Sequence, residues 1–242
     1  MASSAPKRNT NHLPSNESLI RGSIHTPIST ESRTYNPQGP QYQHTELSNG
    51  LTVLTESVTV PSNVQLGIFV DVGTRDETAE TSGAMLSLKN TYLKTAINTS
   101  ETVNYGITQM SGGAFEMDYT RECSYYCAHC LSHDVVDVFS MVADSAFEPK
   151  NYVSTSVGMY KNANSHKLET FLGGNEVFQD HIYQAAYGKS NLGNPLQGVR
   201  SNVNYLTANV IQKFQAASLV PKKIVISAAG IENHGEFVDL VN

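Results

Sequence analysis

The cysteines are the residues whose spacing comes nearest to a chemical motif. Cys127 and Cys130 have the Cys-x-x-Cys spacing that is common in zinc sites, and Cys123 lies shortly before them. The alternating polarity around them predicts a β-strand over residues 124–131. On a strand, residues three apart face opposite sides of the sheet, and residues four apart are separated by about 13 Å. The thiols are therefore predicted to be core or edge cysteines rather than a metal cluster.

The histidines are the next candidates for metal binding or acid–base chemistry. They are scattered along the chain, and the pair His129 and His133 straddles a predicted strand end and a predicted helix cap at Ser132. We interpret each as a surface histidine or as a core histidine with a hydrogen-bond partner. The sequence contains no glycine-rich phosphate loop and no Gly-x-Ser-x-Gly motif. Residue types alone therefore indicate no active site and no cofactor.

Apolar periodicity predicts the elements that would position any site. Alternation predicts strands over residues 64–70, 115–119, 124–131 and 224–226, and one more beside the Ser48-Asn49-Gly50 turn. Helical spacing is found in these sets: Met85, Leu88 and Tyr92; Val103, Ile107 and Met110; Val135, Val138, Phe139, Val142 and Ala146; Val177, Phe178, Ile182 and Ala185; Val210, Ile211, Phe214 and Ala217; Phe237, Leu240 and Val241. This order predicts an α+β fold, an antiparallel or mixed sheet with helices packed on one side.

Helix boundaries are predicted from capping residues. Ser132 and Thr207 are predicted N-caps, and Asn233 precedes the last helix. Pro149 suits the first position of a further helix, which the glycines at 173–174 would separate from the next one.

Composition excludes several functions. The chain has 242 residues, of which 39% are hydrophobic and 16% charged, as expected for a globular domain. Its apolar runs are far shorter than the roughly 18–20 residues that cross a bilayer, so we expect no transmembrane segment. A formal net charge of -6 argues against nucleic-acid binding, which needs clustered basic residues. Three cysteines cannot form a closed disulfide framework.

The first part of the chain differs from the rest. Residues 1–45 contain five of the nine prolines, four basic residues and two acidic residues. Such a stretch cannot bury enough apolar area to fold alone, so we predict an extended arm followed by a single domain over 46–242. The arm could include a targeting sequence, although Pro6 and Pro14 would interrupt its helix. Alternatively, it becomes ordered by lying across a neighbouring subunit.

Several short blocks, taken in order, resemble a known family. They are Leu47–Val53, Gly67–Thr78, Gly83 opening a helix, Met110–Phe115, Tyr119–Glu122, Ala185–Leu196 and Gly230–Phe237. Together they resemble the N-terminal domain of the pitrilysin-type zinc peptidases, and most closely the branch of mitochondrial processing peptidases and complex III core proteins. The resemblance extends over about residues 45–242.

The resemblance implies that the family's zinc site is degenerate here. Catalytic members carry His-x-x-Glu-His on the helix after the glycine, with a further Glu ligand downstream. These places fall on Leu86, Lys89, Asn90 and His166 in this sequence. A leucine offers no lone pair, a lysine ammonium repels Zn²⁺, and an amide oxygen is a weak ligand. We therefore expect no catalytic residue, no bound metal and no peptidase activity of this chain alone.

Two non-catalytic relatives are near neighbours in this branch, the alpha subunit of the processing peptidase and the second core protein of complex III. Leu192–Leu196 and Gly230–Phe237 resemble these two more than the catalytic beta subunit. The principal expectation is a scaffold subunit of respiratory complex III, peripheral on the matrix side of the mitochondrial inner membrane. The alternative is the alpha subunit of a processing-peptidase heterodimer, which receives presequence peptides. Either would need a beta-type partner subunit.

Family subunits contain two similar domains, and this chain corresponds to the first of them. We hypothesise that a separately encoded C-terminal half completes the subunit. The apolar stripe of Phe237, Leu240 and Val241 motivates the hypothesis, because a final helix with such a face needs cover.

Overall fold

Six strands form one sheet in the computed structural model, which describes residues 41–58, 63–93, 100–147, 175–203 and 206–242. The strands are β1 (Gln41–Glu46), β2 (Thr52–Ser57), β3 (Asn63–Val70), β4 (Ala114–Tyr119), β5 (Ser124–Leu131) and β6 (Ile224–Ile231). Their order is β1-β2-β6-β3-β5-β4. β2 and β6 are parallel and the other neighbouring pairs are antiparallel, so the sheet is mixed. The predicted α+β class is confirmed.

Helices connect these strands. They are α1 (Ala84–Thr91), α2 (Ser100–Asn104), α3 (Val135–Phe147), α4 (Asn175–Tyr187), α5 (Arg200–Val203), α6 (Ala208–Ser218) and α7 (His234–Val241). The predicted helix around Ile107 is split, because α2 continues as a π-helix over Tyr105–Met110. None of the helices in the described ranges is both long and apolar enough to cross a bilayer.

The predicted helix cap at Thr207 is confirmed, since its hydroxyl accepts the Val210 N–H. Asn233, predicted only to precede the last helix, is also an N-cap, and its side chain accepts the Gly235 N–H at 2.9 Å. The predicted cap at Ser132 is wrong, because Ser132 begins a 3₁₀ turn that leads into α3. The predictions for Pro149 and for the glycines at 173–174 lie outside the described residues.

One face of the sheet carries the core. Val64, Leu66, Ile68 and Val70 alternate along β3, and each is buried. They join a single apolar cluster with the buried residues of α1, α3, α6 and α7. Burying each such side chain contributes about 1.5–3 kcal/mol, so this face fixes the register of the strands. The other face is partly open to solvent, as at Phe69, which confirms that the helices pack on one side.

The cysteines lie where strand geometry predicts. Cys127 and Cys130 lie on β5, where Cys130 is buried and Cys127 is on the opposite, partly exposed face. Burial, followed by the charge of Asp134, raises the pKa of the Cys130 thiol to about 11. The thiol therefore stays protonated at neutral pH and is a poor nucleophile or metal ligand.

The predicted start of the domain needs correction. The predicted arm ends at residue 45, whereas β1 begins at Gln41 and pairs with β2. Residues 1–40 lie outside the described part of the chain. At the other end, Phe237 is 4% exposed, and its ring contacts Phe139 at 5.4 Å between centroids. The chain's own core therefore covers Phe237, whereas Leu240 and Val241 are only partly buried. The separately encoded C-terminal half stays a hypothesis.

The apolar residues that predict α4 are not its buried side. Phe178 is 69% exposed and Ile182 is 50% exposed, whereas Asp180 is 7% exposed and is the buried side chain among residues 177–187 of this helix. The periodicity therefore predicts the helix correctly but does not identify the face by which it packs.

Candidate functional site

Helix α1, which carries the positions implied by the resemblance, is held at its N-terminus by the buried carboxylate of Glu77. The N-cap residue is Gly83, in the left-handed conformation with φ of 93°, and glycine has no side chain to cap the helix. Glu77 takes that role by accepting the N–H groups of Gly83 at 2.9 Å and Met85 at 2.8 Å. Burial raises the pKa of Glu77 to about 7, although these hydrogen bonds act in the opposite direction.

A second segment braces the entry to α1. The Asn194 amide donates to the carbonyl oxygens of Thr74 at 2.8 Å and Glu77 at 2.9 Å. Gly198 packs directly against Gly83, and a Cβ added at Gly198 would lie 2.5 Å from the Gly83 Cα. The block that contains Leu192–Leu196 therefore fixes the loop from which α1 begins.

Three of the four positions implied by the resemblance lie on α1. Leu86 is 4% exposed and belongs to the apolar core. The Lys89 Nζ lies 2.7 Å from Asp118 Oδ1 on the edge strand β4, and 5.9 Å from the centre of the Tyr119 ring. Asn90 follows on the same helix and is partly exposed. The fourth position, His166, lies outside the described residues.

These side chains do not fit the zinc site of catalytic relatives. A buried leucine, an ammonium group and an amide replace the two imidazoles and the carboxylate that would bind the ion and activate water. Across the residues that the structure describes, no group of three or more His, Cys, Asp or Glu side chains is arranged to hold a metal. No step of a metal-dependent hydrolysis follows from this arrangement.

A buried ion pair lies near the same end of the sheet. The Arg121 guanidinium, in the turn between β4 and β5, forms a salt bridge with Asp180 on α4, and the two side chains are only 12% and 9% exposed. Arg121 also stacks on the Tyr183 ring at 3.8 Å. Asp180 further accepts the Leu196 N–H at 3.3 Å. The pair therefore joins the β4–β5 turn, α4 and the segment that braces α1.

Tyr119 is buried near the charged residues of this region. Its pKa is raised by burial first, and then by the carboxylates of Glu77, Asp118 and Asp180. The hydroxyl therefore remains neutral, and it cannot serve as a base at physiological pH.

Residue types did not identify Glu77, Asp118, Arg121 or Asp180 as important. Glu77 and Arg121 lie within blocks that carry the family resemblance, Gly67–Thr78 and Tyr119–Glu122, so those blocks were a usable signal. Asp180 lies outside every such block, and no local pattern marks it.

Comparison with known proteins identifies the family. A family model described as insulinase, peptidase family M16, matches residues 52–200. The chain belongs to this family. The predicted resemblance to pitrilysin-type peptidases is thereby confirmed.

Proteins with similar sequences include subunits of processing peptidases and a zinc protease. The M16 chain is 27% identical over 204 residues to a probable mitochondrial-processing peptidase subunit beta of Arabidopsis thaliana, covering 84% of this chain and 38% of the relative. It is 26% identical over 212 residues to a mitochondrial-processing peptidase subunit alpha of Neurospora crassa, covering 84% and 36%. An uncharacterized zinc protease of Mycobacterium leprae is 27% identical over 209 residues, covering 81% and 44%. The M16 chain thus spans less than half the length of these relatives.

A solved structure supports the fold. A protease from Helicobacter pylori superposes with a TM-score of 0.74 at 15% sequence identity, covering 83% of the M16 chain and 49% of that protein. At this identity the likeness concerns the fold alone. The relatives include both alpha and beta subunits of processing peptidases, so they do not separate these two types.

Proposed function

We propose that this M16 chain is a non-catalytic, processing-peptidase-like subunit that acts through its shape and its partners. The observation that carries the proposal is the state of α1. Leu86 is buried in the core and Lys89 is paired with Asp118, so two of the positions that serve metal chemistry in catalytic members are engaged in packing and in an ion pair. The names of the Arabidopsis and Neurospora relatives support a mitochondrial role beside a beta-type subunit.

The more specific proposal is a scaffold subunit of respiratory complex III. Leu192–Leu196 and Gly230–Phe237 support it in part, because they resemble the second core protein and the alpha subunit more than the catalytic beta subunit. In the structure the first of these segments braces α1 through Asn194, and the second runs from the end of β6 into the start of α7. The subunit would then be peripheral to the inner membrane, on its matrix side.

The second candidate is the presequence-recognising alpha subunit of a processing peptidase. The Neurospora relative is named a mitochondrial-processing peptidase subunit alpha, which favours this candidate. Native gel electrophoresis of detergent-solubilised mitochondria distinguishes the two. Co-migration with complex III supports the scaffold, whereas recovery in the soluble matrix fraction with a beta-type subunit supports the peptidase.

A metal-binding experiment tests the absence of catalysis. We expect the purified full chain to bind no stoichiometric zinc by mass spectrometry and to leave a presequence peptide uncleaved. A matched variant restores the family residues with Leu86→His, Lys89→Glu, Asn90→His and His166→Glu, and we expect it to gain zinc. Stoichiometric zinc on the unaltered chain would refute the proposal. A restored variant that folds but gains no zinc would refute the assignment of the four positions.

A further inference from the structure

A groove lies between the beginning of α3 and helix α7, and it has a volume of about 590 Å³. This volume is within the range of protein ligand sites. Its floor is apolar and is formed mainly by Val64, Val135, Phe237 and Leu240. We call this feature the acidic groove, because carboxylates form its rim.

The floor of the acidic groove is firmly held. Val64 and Phe237 are 1% and 4% exposed, and the Phe237 ring packs edge-to-face on Phe139. At the rim, Val136 is 56% exposed and lines the same groove. The groove therefore offers a preformed apolar surface that continues outward into solvent.

The rim is acidic, and His133, whose Nε2 lies 3.3 Å from Asp134 Oδ2, is the basic side chain among the residues that line the groove. The two segments that form the walls, residues 131–147 and 231–242, contain no lysine or arginine. Their acidic residues are Asp134, Asp137, Asp144, Glu232, Glu236 and Asp239. Glu232, Glu236 and Asp239 line the groove and are exposed. Within the described part of the chain, Glu236 is hydrogen-bonded by Asn233, whereas Glu232 and Asp239 have no hydrogen-bond or ion-pair partner.

The secondary structure of the groove walls limits the kind of segment that could bind. Helices α3 and α7 use their backbone N–H and C=O groups internally, so an added strand would find no free sheet edge there. Recognition must occur through side chains. An amphipathic helix fits this requirement, because residues spaced at i, i+3, i+4 and i+7 can enter an apolar groove together.

We propose that the acidic groove binds a basic amphipathic helix of a partner protein. Its apolar face would cover Val136 and Leu240, and its lysines or arginines would lie beside Glu232 and Asp239. Because the rim is negatively charged, it favours a positively charged partner. An anionic membrane surface would be repelled by the same carboxylates. This inference does not depend on the proposed function.

A direct binding measurement tests the proposal. The probe is a fluorescein-labelled synthetic peptide of about four helical turns, with leucines on one face and arginines beside them. We expect the full chain to bind this peptide by fluorescence anisotropy, and the affinity to fall as salt is added. A peptide of identical composition but scrambled order should bind far more weakly. Equal binding of the two peptides would overturn the proposal, since it would reflect charge alone.

Two variants locate the binding. Glu232→Gln, Glu236→Gln and Asp239→Asn together should weaken binding by about tenfold at low salt, and Val136→Lys should abolish it. The matched control neutralises three exposed acids elsewhere, with Glu46→Gln, Glu80→Gln and Glu116→Gln, and should leave the affinity nearly unchanged. Circular dichroism verifies folding of each variant. Equal losses in the rim and control variants, or groove-dependent self-association of the chain in sedimentation, would overturn the proposal.

Discussion

Glu77 and Asp180 are two acids with nearly the same burial but different partners. They are 6% and 7% exposed, and both secure an element near the β4–β5 turn. Glu77 is surrounded by backbone N–H groups, whereas Asp180 has the guanidinium of Arg121. Amide dipoles compensate the lost hydration of a carboxylate only in part, and the pKa of Glu77 is accordingly raised to about 7. Burial alone therefore does not determine how an acid in this fold responds to substitution or to pH.

The two acids also act at different ranges along the chain. Glu77 orients α1 from a position a few residues before the helix begins. Asp180 on α4 joins parts of the chain that are 59 residues apart, because its partner Arg121 lies in the β4–β5 turn. The hydrogen bonds of Glu77 are buried too, but Asp180 in addition compensates a buried guanidinium, whose charge would otherwise be unpaired.

The largest effect should come from breaking the Arg121–Asp180 pair. Asp180→Asn leaves a guanidinium buried without a counter-charge, and we expect it to lower the free energy of unfolding by about 3–5 kcal/mol. Urea denaturation measures the loss. The double variant Arg121→Met and Asp180→Leu removes both charges and should recover most of the stability. If Asp180→Asn alone costs less than about 1 kcal/mol, the pair is not what holds α4.

The next effect is the pH dependence that Glu77 confers. Its pKa is about 7 in the folded chain and 4.5 as an ordinary carboxyl, so the folded state binds more protons between these values. The free energy of unfolding should therefore fall as pH rises from about 4.5 to 7, by up to roughly 3 kcal/mol. Glu77→Gln should remove this component. Thermal unfolding at both ends of the range measures the difference between the two proteins.

A neighbouring exposed acid serves as the control for Glu77. Glu80→Gln changes the same charge on the same loop at a solvent-exposed position, and it should leave the pH profile unchanged. A Glu77→Gln variant with the same pH profile as the unaltered chain would show that the carboxylate is already ionised at pH 5. The two buried acids would then behave alike, and the comparison would fail.

Sequence patterns predicted the parts of this fold that depend on short-range periodicity. The alternation of Val64, Leu66, Ile68 and Val70 identified a central strand, because one face of that strand is buried. The cap at Thr207 was predicted because its partner, Val210, is only three residues away. Both predictions rest on short-range features, the alternation of side chains along one strand and a hydrogen bond within the first turn of one helix.

The interactions that the patterns missed are those that connect distant segments. Glu77 bonds to amides beyond an irregular loop, so no periodic signal reveals it. The buried face of α4 was missed because an ion pair, rather than its apolar residues, attaches the helix. In the candidate site, Leu86, Lys89 and Asn90 were singled out only through the family resemblance, since none of them carries a chemical signature alone. The role of Asp118 as the partner of Lys89 follows only from the structure, in which β4 lies beside α1.

An exposed pair should have a smaller effect than the buried one. Lys89 and Asp118 are 37% and 42% exposed, so solvent screens their attraction even at 2.7 Å. Lys89→Met should therefore cost less than about 1 kcal/mol in urea denaturation, and high salt should reduce the difference further. Lys89→Glu should cost more, because it places two carboxylates together. A loss for Lys89→Met as large as that for Asp180→Asn would mean that this pair is a structural centre of the site.

The smallest effect is expected on the outer face of α4, where Phe178 is 69% exposed. Phe178→Ser removes little buried area, and we expect the free energy of unfolding to change by no more than about 0.5 kcal/mol. Tyr183→Ala, on the face that contacts Arg121, should cost more, because it removes the ring on which the guanidinium stacks. Parallel urea titrations of the two variants measure the contrast. A larger loss for Phe178→Ser than for Tyr183→Ala would mean that α4 packs through its apolar stripe, as its periodicity alone suggests, and that the Arg121–Asp180 pair is not its main attachment.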